Sequence, residues 1–65
     1  MPSTVIRTFS YDPDARQLHI TFVSGRRYRY EAVPRATYEA MRRAHSKGEF
    51  FNRRIRNAFP AAPEA

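Results

Sequence analysis

Arginine carries the most evident chemistry in this chain, and it is concentrated in one part of the sequence. Ten of the twelve Lys and Arg residues lie between positions 26 and 56, against three acids, which gives that segment a charge of +7 and the remainder −1. Eleven of the twelve are Arg, whose planar guanidinium can bind phosphate through two N–H groups and stack on a base. The pattern predicts contact with a polyanion, although a merely solvated surface would have the same composition.

The basic residues that we predict to bind an anion come from one predicted strand and two predicted helices. They are Arg27, Arg29, Arg42, Arg43, Lys47, Arg53, Arg54 and Arg56. A surface of this kind contacts phosphates and confers little sequence selectivity. The sequence alone does not indicate whether the strand and helix arginines form one continuous surface.

Residue types that support catalysis or hold a cofactor are not arranged for it in this sequence. There is no cysteine, and Lys47-Gly48 reverses the order found in a phosphate-binding loop. His45 and Ser46 are adjacent, so on a helix they would point about 100° apart, and no acid is placed to orient the imidazole. Asp12 and Asp14 flank a proline in an evident turn and supply too few oxygens for calcium. We predict that the protein is not an enzyme and has no cofactor, metal ion or small-molecule substrate.

Length and composition indicate one small folded domain. The chain has 65 residues, of which 42% are hydrophobic and 14% aromatic. A domain of this size buries only about 60% of the area of its extended chain, so its stability should be marginal. No run approaches the roughly 18 apolar residues of a membrane span, and the first residues lack the order typical of a signal peptide. We expect a cytoplasmic protein with no membrane partner.

Three segments near the N-terminus have the composition and alternation of β-strands. They are positions 4–11, 17–23 and 26–31. The first ends at Asp12-Pro13-Asp14, where Pro fixes φ and Asp can accept from the backbone. Ile6 interrupts its alternation, which indicates a β-bulge.

The spacing between the second and third segments decides which face Tyr28 and Tyr30 occupy. A three-residue loop over positions 23–25, with Gly25 at positive φ, pairs Ile20 with Tyr28 and places both tyrosines on the apolar face. We favour this register and predict that both rings are buried. In the other register, alternating Tyr and Arg would form a stacking platform for single-stranded RNA.

Two helices should follow the strands. Pro34 suits the first helical position, and the apolar spacing continues to Ala44. Two signals compete after that point. We favour Gly48 as the left-handed cap of the first helix, and the alternative is a capping box in which Ser46 and Glu49 begin the second helix.

The second helix has an apolar stripe in which Phe51, Ile55 and Phe59 lie four residues apart, and Pro60 should end it. These elements predict an α+β fold with a three-stranded antiparallel sheet (β-β-β) followed by two helices packed on one face. The expected organisation is an N-terminal tail over 1–3, a single domain over 4–59 and a disordered Pro/Ala tail over 60–65.

The order of several short motifs is more specific than any one of them. They are a Leu-x-Ile-x-Phe strand, a Gly turn, Tyr28-Arg29-Tyr30, Val33-Pro34, Tyr38, Ala44 with Ser46 and Gly48, then Phe50-Phe51-Asn52 and Ile55-Arg56. From Val5 to Phe59 the chain resembles the KTSC domain, a module named for its place at the C-terminus of some lysyl-tRNA synthetases and also found as stand-alone small bacterial proteins.

The resemblance implies a structural motif and no catalytic residue. The positions assigned to that motif are Tyr28, Tyr30, Pro34, Gly48, Phe51, Asn52 and Ile55. The synthetase context implies RNA binding, with tRNA as the first candidate, and the +7 segment is consistent with it. We therefore predict a non-catalytic RNA-binding domain. The alternative is a protein-interaction or self-associating module, which a marginal core and nine aromatic residues would favour.

Overall fold

The computed structural model describes residues 5–64, which form one antiparallel sheet and two helices on one face of it. The elements, in chain order, are β1 (Ile6–Asp12), β2 (Gln17–Phe22), β3 (Arg27–Tyr30), α1 (Arg35–Arg43), α2 (Lys47–Phe50) with its π-helical continuation (Phe51–Ile55), and β4 (Ala61–Glu64). The strand order in the sheet is β1-β2-β3-β4. The predicted tail over 1–3 lies outside the described residues.

Strand β1 contains the predicted bulge. Ile6 pairs with Phe22 and Thr8 with Thr21, so Arg7 is an extra residue on β1. The extra residue shifts the alternation of β1 by one position. Ile6 therefore lies on the same face as the core-facing residues that follow it, and it packs against the core. The turn after β1 is held by the Asp12 carboxylate, which accepts a hydrogen bond from the backbone N–H of Asp14 at 3.1 Å.

The hairpin between β2 and β3 has the predicted three-residue loop. Phe22 N–H donates to the Arg26 carbonyl at 2.8 Å, Ile20 pairs with Tyr28, and Gly25 has φ +92°. Tyr28 therefore lies on the helix-covered face, half-buried, and Tyr30 is only 5% exposed. The rings pack in the core and do not form an exposed platform.

A fourth strand corrects the predicted three-stranded sheet and the predicted disordered tail over 60–65. Residues of β4 pair with β3, Ala61 opposite Tyr30 and Pro63 opposite Tyr28. The free edge of β3 carries N–H and C=O groups that need partners, and the chain after Pro60 supplies them. Pairing starts just before the strand, where Glu31 N–H donates to the Pro60 carbonyl at 2.9 Å.

The junction between the helices corrects the prediction for Gly48. Helix α1 begins one residue after Pro34, which is its N-cap, and ends where Ala44 turns to extended backbone. Gly48 is buried inside α2 and is not the cap of α1. Ser46 is the N-cap of α2, and its hydroxyl accepts from the Glu49 N–H at 3.3 Å. Because α1 has already ended, the alternative based on Ser46 is the correct one.

The core lies between the sheet and the helices. Its buried side chains are Leu18, Ile20, Tyr30, Val33, Met41, Phe51 and Ile55. Phe51 is central, because its ring packs edge-on against Tyr30 and Phe22, with centroids 5.4 Å apart in each case. The wider π-helical turn closes with Arg56 N–H donating to the Phe51 carbonyl at 2.9 Å. This turn directs Phe51 and Ile55 inward and leaves Arg53 and Arg54 exposed.

Candidate nucleic-acid interface

The structure separates the predicted basic residues into two groups. Arg27 and Arg29 alternate along β3 with Tyr28 and Tyr30, so they leave the sheet on the face opposite the helices. The remaining members of the set belong to the helical layer, and they are Arg42, Arg43, Lys47, Arg53, Arg54 and Arg56. The predicted set is therefore not one continuous surface.

The arginines of the sheet face are close to acids. Arg29 Nε lies 2.5 Å from Glu31 Oε2, and Gln17 also donates to that carboxylate at 3.2 Å. The Arg29 hydrogen bond, with help from Gln17, holds the pKa of Glu31 below its usual value. Arg27 is opposite Glu64 in the pairing of β3 with β4. Arg29 is therefore paired with an acid, whereas the acid opposite Arg27 bonds His19.

The helical layer has a clear excess of positive charge. Between positions 35 and 56 there are seven basic residues and two acids, Glu39 and Glu49. Glu39 is shared by two arginines of α1, with Arg42 Nη1 at 3.1 Å and Arg35 Nε at 3.8 Å. Arg43 is exposed near the end of α1. The helical side therefore carries most of the excess positive charge of the domain.

An open depression of about 270 Å³ lies on this side, where the link between the helices meets the second helix. Its lining residues are Ala44, His45, Ser46, Glu49, Phe50, Arg53 and Arg54. Ala44, where α1 ends, has extended backbone and lines the depression. Lys47 Nζ donates to the Ala44 carbonyl at 2.6 Å and holds the link in place.

One aromatic ring and one guanidinium form a pair in this depression. The Arg54 Cζ lies 5.5 Å from the centroid of the Phe50 ring, within cation–π range. Phe50 is half-buried and packs against the core, so the ring is a fixed support. Sequence reasoning did not place Phe50 or His45 at the candidate interface, although both line the depression. The i,i+4 spacing of Phe50 and Arg54 on a helix is the signal that could have found this pair.

The residues assigned to the structural motif divide by exposure. Five of them are buried or half-buried on the helix-covered side of the sheet, namely Tyr28, Tyr30, Gly48, Phe51 and Ile55. Pro34 and Asn52 are exposed. A second depression of about 340 Å³ lies at the end of the sheet between Arg27 and Glu64, where both charge signs are present. Within residues 5–64, no helix is long and apolar enough to cross a membrane.

Comparison with known proteins places this arrangement in a family. The model of the KTSC domain matches residues 2–59. The chain belongs to the KTSC domain family. The crystal structure of a KTSC domain protein from Yersinia pestis shares this fold with a TM-score of 0.94 and 34% sequence identity, over 100% of this chain and 92% of that one.

KTSC relatives occur both as small proteins and as parts of large ones. An uncharacterized protein of Stutzerimonas stutzeri is 42% identical over 52 residues, which are 80% of this chain and 73% of that protein. A lysine–tRNA ligase of Nostoc punctiforme is 41% identical over 56 residues, and a second from another Nostoc strain is 35% identical over 54. In both ligases the match spans only 10% of the enzyme.

Proposed function

We propose that this KTSC domain is a non-catalytic module that binds RNA, with tRNA as the first candidate, through phosphate contacts from its helical side. The observation that carries the proposal is the excess of seven basic residues over two acids in the helical layer, beside an open depression with two arginines in its wall. Because the sheet-face arginines have acidic neighbours, the proposal assigns binding to the helical side alone. The similarity to segments of two lysine–tRNA ligases supports tRNA as the ligand to test first.

The proposal predicts a steep dependence of affinity on salt. Each phosphate neutralised by a guanidinium releases a counterion, so affinity falls with a slope of about −0.9 per contact on duplex regions. About five contacts would weaken binding several hundred-fold between about 50 and about 200 mM salt. A titration of labelled tRNA at these two concentrations measures the slope directly. No binding at the lower salt concentration would exclude the proposal.

Two charge-matched double variants locate the surface. Arg53→Gln with Arg54→Gln removes two cations from the depression, and Arg26→Gln with Arg27→Gln removes two from the hairpin end of the sheet. We expect the first variant to lose at least tenfold in tRNA affinity and to show a shallower salt slope, and the second to lose much less. All four residues are exposed, so thermal stability should change little. Equal losses would mean that net charge, and not this surface, determines binding.

The alternative function is a protein-interaction or self-associating module. It would require exposed apolar surface, and in residues 5–64 Val23 is the one large hydrophobic side chain that is exposed, at 54%. The nine aromatic residues that motivated this alternative contribute mainly to the core and its border. Light scattering at increasing protein concentration, without RNA, tests the alternative directly.

A further inference from the structure

We infer that the depression at the helix junction accommodates one unpaired nucleotide, whose base stacks against the Phe50–Arg54 pair while Arg53 contacts the adjoining phosphate. This inference rests on the proposed function and specifies its ligand as single-stranded RNA, or a base extruded from a folded RNA. It distinguishes this site from the rest of the helical side, where the contacts would be to phosphates only.

The Phe50 ring and the Arg54 guanidinium lie within cation–π distance of each other. Phe50 is anchored against the core, and its ring is 5.5 Å from the Arg54 guanidinium carbon. This contact restricts the long Arg54 side chain before any ligand binds, so less side-chain entropy is lost on binding. Guanidinium planes and aromatic rings are the two groups on which proteins stack unpaired bases.

The depression is small. Its volume of about 270 Å³ is just below the roughly 300 Å³ at which pockets for drug-sized ligands begin. The site is open to solvent, so a base that is attached to a strand can reach it from outside. A base inside a duplex has both faces covered by its neighbours and could not reach the pair without unstacking.

The polar groups of the wall fit a nucleotide carrying a phosphate. Arg53 and His45 are exposed at the wall and can donate to phosphate oxygens. The Ser46 hydroxyl accepts from the Glu49 N–H and still has its own hydrogen to donate. Glu49 is the acid among the lining residues, and the two guanidiniums outweigh its charge.

The test compares two RNA strands of equal length and charge. One is an unstructured single strand, and the other has the same backbone without bases. Because each stacked base contributes about 1 to 3 kcal/mol, one stacked base predicts that the normal strand binds about 5- to 150-fold tighter than the abasic strand. Fluorescence anisotropy at low salt measures both affinities.

Two variants that conserve charge assign the effect to a residue. Arg54→Lys keeps the cation and removes the planar group, so it should reduce the ratio of the two affinities to near one. Arg53→Lys is the matched control and should preserve the ratio. Circular dichroism checks that both variants are folded, as expected for exposed positions.

The outcomes separate this inference from the proposed function. Equal affinity of the wild-type protein for the normal and abasic strands would overturn the inference and leave phosphate binding intact. An affinity ratio that survives Arg54→Lys would overturn the assignment to the Phe50–Arg54 pair. Failure to bind either strand, together with failure to bind tRNA, would overturn the proposed function itself.

Discussion

His19 Nδ1 and Glu64 Oε2 lie 2.9 Å apart and join β2 to β4 across the strand between them. Both side chains are less than one-third exposed, at 32% and 24%. Strand β4 is therefore held at its last described residue by a side chain as well as by its backbone pairing with β3. This contact makes the C-terminal strand part of the folded domain.

Replacing Glu64 by Ala should lower the free energy of unfolding by about 1 kcal/mol, the typical net contribution of one hydrogen bond. Urea denaturation near neutral pH measures the change. Glu64→Gln removes the same charge but keeps an acceptor oxygen, so it should retain much of the stability that the Ala variant loses. Identical denaturation of the Ala variant and the wild type would show that the contact does not stabilise β4.

The hairpin register and the bulge were predictable because they depend on local patterning. Ile20 and the two tyrosines of β3 can share a face in only one loop length, and burial of that face makes the register unique. Ile6 is out of phase with the rest of β1, and an extra residue is the simplest way for it to reach the core. In both cases the decisive information lies within a few residues.

Strand β4 and the role of Gly48 were not predictable by the same reasoning. Ala61–Glu64 contains a proline and no β-branched or aromatic residue, so its strand conformation comes from the distant β3 edge that it pairs with. At the helix junction, a Gly cap and a Ser46 cap are local signals of similar strength. The extended backbone at Ala44 selects the Ser46 cap, and no local signal in the sequence marks that residue.

The candidate site was predictable in part. The helical arginines were predicted correctly as part of a basic segment, because counting charges along the sequence is enough to find such a segment. The separation of Arg27 and Arg29 from them follows from alternation on β3 once the tyrosines are known to be buried. The depression could not be predicted from the sequence, because it depends on how the link between the helices meets the second helix in three dimensions.

Gly25→Ala should destabilise the domain by about 1 to 2 kcal/mol. Gly25 has φ +92°, and an added Cβ would meet no atom within 4 Å, so the cost is the backbone strain alone. Chemical denaturation measures it. Gly25→Asn should be less harmful, because Asn tolerates positive φ better than Ala does. A fully stable Ala variant would mean that the loop can adopt another conformation at little cost.

Glu31 should make stability sensitive to acid. Its pKa is lowered in the folded state by the Arg29 and Gln17 hydrogen bonds, so its contribution is present above the usual value of 4.5 and is lost as the pH falls through the lower folded-state value. Glu31→Gln cannot titrate and should lose less stability than the wild type over this range. Thermal melting at several pH values below 6 compares the two proteins, and parallel curves would contradict the prediction. High salt should reduce the difference, because the pair is partly exposed.

Tyr30 should make stability sensitive to base. Burial raises its pKa above 10.0, the neighbouring Tyr28 raises it further, and Arg56 opposes the shift. The unfolded chain ionises first as the pH rises, so the stability that the neutral phenol provides is present below pH 10.0 and is lost as the pH climbs through the raised value. Tyr30→Phe keeps the ring and removes the ionisable hydroxyl.

We expect Tyr30→Phe to match the wild type near neutral pH and to be the more stable protein above pH 10 in urea denaturation monitored by circular dichroism. Tyr30→Ala is the contrasting variant, because it removes a ring that is 5% exposed and packs against Phe51. Its cost of about 3 to 5 kcal/mol is comparable to the whole stability of so small a domain, so this variant should be largely unfolded. If Tyr30→Phe loses stability at high pH as the wild type does, ionisation of another group must cause the loss.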